Sequence, residues 1–158
     1  FNIIQRDVPE CIVLDLFAGS GALALEALSR GAIRAVLVEH NRQAVACIRR
    51  NTETAGFNEK AAILQCDWRV AVEKLKGSGI RFTLIFLDPP YQLTQYPEMT
   101  DLLRVRELLA DGALIVIEHR KDVRFELSSF FIPRDLRAYG DTEISLYTYR
   151  PGGSSDGK

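Results

Sequence analysis

The chain has 158 residues, 47% of them hydrophobic and 26% charged, the profile of a soluble globular protein long enough for one domain with a real core. Its formal net charge of −1 excludes a chain-wide basic field, so any nucleic-acid contact has to come from local patches or from parts outside this sequence. Three scattered cysteines, Cys11, Cys47 and Cys66, without CxxC spacing argue against a disulfide framework or a zinc site, and no apolar run has membrane-spanning length or the look of a signal peptide.

Apolar runs alternate with segments of helical period. "CIVLDLF" (11–17) reads as a strand ending near Gly19, and "SGALALEALSRG" (20–31) as a helix with a serine near its start and a glycine stop. "IRAVLVE" (33–39) is a second strand. "NRQAVACIRRNTETAG" (41–56) begins on a capping Asn and ends on Gly, a helix signature. "AAILQC" (61–66) is a third strand and "DWRVAVEKLK" (67–76) a helix before a Gly-Ser-Gly turn. "FTLIFL" (82–87) is a fourth strand, "PEMTDLLRVRELLA" (97–110) a helix with proline where helices tolerate it, and "GALIVIEH" (112–119) a fifth strand. This alternation predicts βαβ units and a mostly parallel sheet. Two strand-like runs then follow without a helix, "FFIPRDLRAYG" (130–140) and "TEISLYTYR" (142–150), which predicts an antiparallel hairpin turning at Gly140-Asp141. Residues 1–150 are expected to form one α/β domain and 151–158 a disordered polar tail.

Strand, glycine turn and helix follow one another in "LDLFAGSGALALEALSRG". Gly19 and Gly21 allow a tight turn and close backbone approach, and the helix that follows carries partial positive charge at its amino end. The run Gly19 to Ala24 also satisfies G-x-G-x-x-A, and Glu39 ends the second strand about 20 residues on, where an acid can meet ribose hydroxyls. A tight strand-to-helix turn alone is the plain alternative. Asp15 sits in an otherwise apolar strand beside that loop, and a buried lone carboxylate needs a partner. An acid there suits a ligand with a sulfonium and an ammonium group better than a pyrophosphate; hydrogen bonding to the loop backbone is compatible with either. Asp67 follows the third strand as Glu39 follows the second and Asp88 the fourth, so three acids point to one cleft. Asp67 suits an adenine amino group, with Trp68 as an apolar face, or simply a helix cap beside a core tryptophan. Asn41 reads most simply as a helix cap, and His40 has no sequence partner that marks a base or a metal ligand.

"FTLIFLDPPYQ" (82–92) runs a buried strand into an acid, two prolines and a tyrosine. Proline fixes its own φ and holds the preceding residue extended. Asp88, Pro89, Pro90 and Tyr91 therefore form rigid geometry at a strand's carboxyl end, where open α/β sheets bind ligands.

"LDPPY" after the fourth strand with "DLFAGSG" after the first resembles the S-adenosylmethionine-dependent amino-methyltransferases of the Rossmann-like class. "DLFAGSGALALEALSRGA", "VEHNRQA", "LDPPY" and "YGDTEISLY" resemble, to about Arg150, the bacterial small-subunit ribosomal RNA guanine-N2 methyltransferase family (RsmD-like). The resemblance implies a three-layer sandwich on a mostly parallel seven-stranded sheet, with a C-terminal antiparallel hairpin. It implies methyl transfer from S-adenosyl-L-methionine, leaving S-adenosyl-L-homocysteine, to a guanine amino group without a metal. Asp15 and the loop Phe17, Ala18, Gly19, Ser20 and Gly21 would lie along the methionine part. Glu39 would meet the ribose and Asp67 the adenine, with His40, Asn41 and Trp68 as further candidate contacts. Asp88, Pro89, Pro90 and Tyr91 would be catalytic. The implied partner is small-subunit ribosomal RNA or the assembled small subunit, met in the cytoplasm by a monomer. Family members usually begin with a further, basic RNA-binding segment, and "FNIIQ" looks like the end of its helix. Methylation of adenine N6 or of a protein glutamine, a nicotinamide-dependent dehydrogenase and a silent nucleoside-binding module are the competing readings.

Overall fold

The computed structural model describes residues 1–153. In chain order the elements are β1 (Ile12–Asp15), α1 (Ala22–Ser29), β2 (Arg34–Glu39), α2 (Arg42–Ala55), β3 (Ala61–Gln65), α3 (Trp68–Leu75), β4 (Phe82–Leu87), α4 (Tyr96–Val105), β5 (Leu109–Arg120), β6 (Phe131–Tyr139) and β7 (Thr142–Tyr149). The seven strands form one sheet in the order β3-β2-β1-β4-β5-β7-β6. The first five pair in parallel, and β7 pairs antiparallel with both β5 and β6. The expected hairpin is present, with β7 rather than β6 against the parallel strands.

Successive residues of a strand point to opposite faces, and β4 shows how this divides the core. Ile85 and Leu87 join Leu14, Val36, Ala71, Met99 and Leu103 on the face covered by α3 and α4. Leu84 and Phe86 join Val13, Leu37, Ala24, Ala27 and Ile48 on the face covered by α1 and α2. Because β4 is buried on both faces, it reads as an unbroken apolar run.

Helix α2 ends as the sequence predicts. Gly56 adopts φ 76 and its N–H bonds to Glu53 O, while Phe57 N–H bonds to Thr52 O. Helix α4 does not reach residue 110 as expected. It closes with the same pair of bonds, Glu107 N–H to Arg104 O and Leu108 N–H to Leu103 O, but a glutamate at φ 58 takes the glycine's place. Leu109 then pairs with Phe82, so β5 starts three residues before the predicted strand. Replacing Glu107 with Gly is expected to stabilise the fold by about 0.5–1 kcal/mol, read from denaturant unfolding, because it relieves a left-handed side-chain conformation.

The opening residues form successive turns, with Ile4 N–H bonded to Phe1 O and Asp7 N–H to Ile4 O, and Pro9 holds Val8 out of helical conformation. Ile4 and Val8 are nonetheless buried, and Arg134 of β6 holds Asp7 with two hydrogen bonds of 3.0 and 3.1 Å. Residues 151–153 form a turn in which Gly153 N–H bonds to Arg150 O; the remainder of the expected tail, 154–158, lies outside the described residues.

Candidate active site

Parallel pairing sets the carboxyl ends of β1, β2, β4 and β5 on one side of the sheet, beside the turns that follow them. These turns surround a cleft of about 500 Å³. Among the residues singled out from sequence, Phe17, Ala18, Gly19, Ser20, Glu39, His40, Asp88, Pro89, Pro90 and Tyr91 line it.

The glycine turn is braced from within. Ala18 N–H bonds to Val38 O at 2.9 Å and Gly21 N–H to Ala18 O at 2.8 Å. Gly21 has φ 83, and a Cβ there would stand 3.1 Å from Leu37 Cδ2, so both conformation and space call for glycine. Gly21, not Ser20, is the N-cap of α1, and no side chain caps that helix. Its first residues, Ala22 and Leu23, face the cleft with the positive end of the helix dipole.

Glu39 ties two turns together. Its Oε1 accepts from Gly19 N–H at 3.0 Å and its Oε2 from Asn41 N–H at 2.8 Å. A carboxylate thus holds the amide that a dinucleotide pyrophosphate would need, which disfavours the dehydrogenase reading. Asn41 caps α2, accepting from Ala44 N–H at 3.0 Å, and Gly21 and Asn41 stay outside the cleft wall. His40 is exposed, its Nδ1 3.5 Å from Glu39 Oε2. Asp67 caps α3 through Arg69 N–H at 2.9 Å. Asp67 and buried Trp68 line a side pocket of about 70 Å³ that shares Phe17, Glu39, His40 and Pro90 with the cleft.

Asp15 lies beneath the loop, only 1% exposed. Its Oδ1 accepts from Phe17 N–H at 3.3 Å, and its Oδ2 is buried without a partner. Burial pushes its carboxyl up to about 7 against the help of the Phe17 amide, and the charges of Asp88 and Glu39 push the same way. Asp88 stands at the end of β4, and desolvation in the cleft, followed by the neighbouring Glu118 carboxyl, raises it to about 6. Tyr91 is 69% exposed, with the Arg120 guanidinium 5.9 Å from its ring centre. Among the described residues, no group of three His, Cys, Asp or Glu side chains is placed to hold a metal ion.

The cleft also contains Tyr96, Glu118, His119 and Thr142, which sequence reasoning did not single out. Burial, then the charge of Asp88, raises the Tyr96 phenol. His119 is buried, with Nε2 2.8 Å from Ser145 Oγ and Nδ1 2.9 Å from Arg120 O. Glu118 and His119 close an apolar run of the sequence just as Glu39 and Asp88 do, and that shared position was the available signal.

A seven-stranded sheet with an antiparallel end and its cleft at the carboxyl side of the parallel strands is the fold of the Rossmann-like methyltransferases. An RNA methyltransferase from Salinibacter ruber, solved in complex with S-adenosyl-L-homocysteine, superposes with a TM-score of 0.73 at 18% identity, over 98% of this chain and 92% of that one. A conserved hypothetical protein from Streptococcus pyogenes superposes with a TM-score of 0.88 at 35% identity, over 98% of this chain and 94% of that one. The family described as "Conserved hypothetical protein 95" matches residues 1–148, and this chain belongs to it. A relative in Escherichia coli (strain K12), "Ribosomal RNA small subunit methyltransferase D", is 36% identical over 118 residues, 75% of this chain. The chain spans 58% of that relative's length.

Proposed function

We propose that this chain transfers a methyl group from S-adenosyl-L-methionine to the exocyclic N2 amino group of a guanine in small-subunit ribosomal RNA. The observation that carries this reading is the placement of Asp88-Pro89-Pro90-Tyr91 across one cleft from the glycine loop. The name of the Escherichia coli relative supports the RNA substrate. Union of all seven strands in one sheet supports treating residues 1–150 as a single domain.

The residues present fit the cofactor. Asp15, with its orphaned buried oxygen, and Glu39 make an acidic surround for a ligand carrying a sulfonium and an ammonium group. The loop from Phe17 to Gly21 would hold the methionine part, Glu39 and the adjacent His40 the ribose, and the pocket of Asp67 and Trp68 the adenine. Asn41 and Gly21 would serve by shaping their turns. When bound, S-adenosyl-L-methionine supplies an electrophilic methyl group.

The amino nitrogen of guanine has its lone pair delocalised into the ring. The Asp88 carboxylate and the Pro89 carbonyl would accept its two hydrogens and turn that lone pair toward the methyl. The two prolines fix both acceptors, so positioning supplies most of the rate. Tyr91 is exposed and free to stack on a base turned out of its helix. As the new C–N bond forms, the nitrogen becomes acidic and passes one proton to Asp88, so no strong base is required.

The test uses small ribosomal subunits from cells lacking the modification, incubated with the protein and S-adenosyl-L-methionine. Digestion and mass spectrometry are expected to show new N2-methylguanosine. N6-methyladenosine instead would keep the enzyme class and remove the guanine assignment. No methylated nucleoside, even with a full-length relative as catalyst, would remove the ribosomal substrate.

A further inference from the structure

Two carboxylates meet where the cleft ends. β4 and β5 pair in parallel with Leu87 opposite Ile117, and Asp88 and Glu118 stand one step further along each strand. Both line the main cleft. Both also border an apolar pocket of about 70 Å³, in whose wall they are the charged groups among side chains such as Phe1, Ile4, Leu23, Phe86 and Val116. The neighbouring basic groups are committed elsewhere. Arg120 gives two hydrogen bonds to Asp122, of 3.1 and 3.2 Å, and His119 is held by Ser145 and the Arg120 carbonyl. Two adjacent acceptors are left facing the space a base would enter, Asp88 exposed and Glu118 half-buried.

Such a pair calls for two adjacent donors. The Watson–Crick edge of guanine presents N1–H next to the N2 amino group, whereas adenine presents its N6 amino group next to a bare N1 acceptor. We infer that Glu118 accepts the N1–H of the target guanine while Asp88 holds the amino group, and that Glu118 thereby excludes adenine. The inference rests on the guanine reading above and gives it a physical basis that Asp-Pro-Pro-Tyr alone does not contain. Adenine would set a lone pair against a carboxylate, and a site built for a donor rejects a base that lacks one far more strongly than an apolar pocket rejects a misfit.

The test compares small subunits reconstituted with guanine or with 2-aminopurine at the methylated position. 2-Aminopurine keeps the 2-amino group but makes N1 a bare acceptor. The native enzyme is expected to lose at least ~100-fold in kcat/KM on 2-aminopurine. Glu118→Gln, whose amide can donate, is expected to lose ~10- to 100-fold on guanine and to bring the two substrates within ~10-fold of each other. A residue that only supports the fold would lower both substrates alike. An unchanged ratio in Glu118→Gln, or equal rates on the two bases with the native enzyme, would therefore overturn the inference. S-Adenosylhomocysteine binding reports whether the variant is folded; if it is not, Glu118→Asp replaces it and is expected to narrow the same ratio. Failure of the native enzyme on guanine itself would mark failure of the functional reading, and the inference would fall with it.

Discussion

Replacing Asp88 with alanine is expected to lower the rate of methyl transfer by ~100- to 1,000-fold while S-adenosylhomocysteine affinity stays within ~3-fold, as single-turnover kinetics and calorimetry would show. The carboxylate stands at the end of a strand buried on both faces and is followed by two prolines, so little else can move into its place. Without it the amino group keeps only the Pro89 carbonyl, and its lone pair is no longer aimed. Asp88→Asn retains an acceptor oxygen and is expected to lose about tenfold. The two variants also differ from the native enzyme in pH response. In the proposed mechanism Asp88 can take up the amino proton only when ionised, and its carboxyl is raised to about 6. Native activity should therefore fall as pH drops below about 6, with Glu118, Asp15, Glu39, Tyr96, His40 and His119 as the titratable groups around it. That limb should be missing from Asp88→Asn; a limb unchanged in the Asn variant would assign it to another group and remove Asp88 from the proton's path.

The second large effect concerns stability. Asp15→Asn is expected to make the protein more stable at pH 8 by on the order of 3 kcal/mol and to change it little near pH 4. The sign follows from the folded-state value, about 7 against 3.8 for the free side chain. Between those limits the folded chain holds a proton that the unfolded chain has released. The contribution of Asp15 is thus fully present below about pH 4 and lost as pH rises through about 7. Asparagine never ionises and avoids that loss. Denaturant unfolding at the two pH values checks it, and lower stability of the variant at pH 8 would mean that the carboxylate has a stronger partner than the Phe17 amide. The same variant is expected to bind the cofactor about tenfold more weakly, because a cationic ligand loses a nearby acid. A stabilising change that weakens binding is the usual mark of a residue kept for function.

The parallel core of the fold was legible because each strand and helix had its own period and its own stop. Gly56 ended α2 where a glycine was visible in the sequence. Glu107 ended α4 by the same pair of hydrogen bonds without the glycine, and no local signal distinguished it from another helical residue. Only the pairing of Phe82 with Leu109 explains why the chain turns there. The cleft was legible at β1, β2 and β4, where glycines, an acid at a strand end and two prolines interrupt apolar runs. Thr142 was not, because its place depends on which strand lies beside β5. That order belongs to the whole sheet and has no local trace. Trp68 was open to two readings, a ligand face or core; it is buried and also lines the side pocket beside Asp67.

The position of β7 also governs how the molecule can be made. β7 comes last among the described strands yet lies between β5 and β6. As the chain leaves the ribosome, β5 therefore presents a long row of unpaired amides and carbonyls until β7 arrives, and β6 has no neighbour in the sheet before then. Such an open edge invites pairing with another chain. The interval between emergence of Leu109 and of Tyr149 from the ribosome is the period in which this protein most needs dilution or a chaperone.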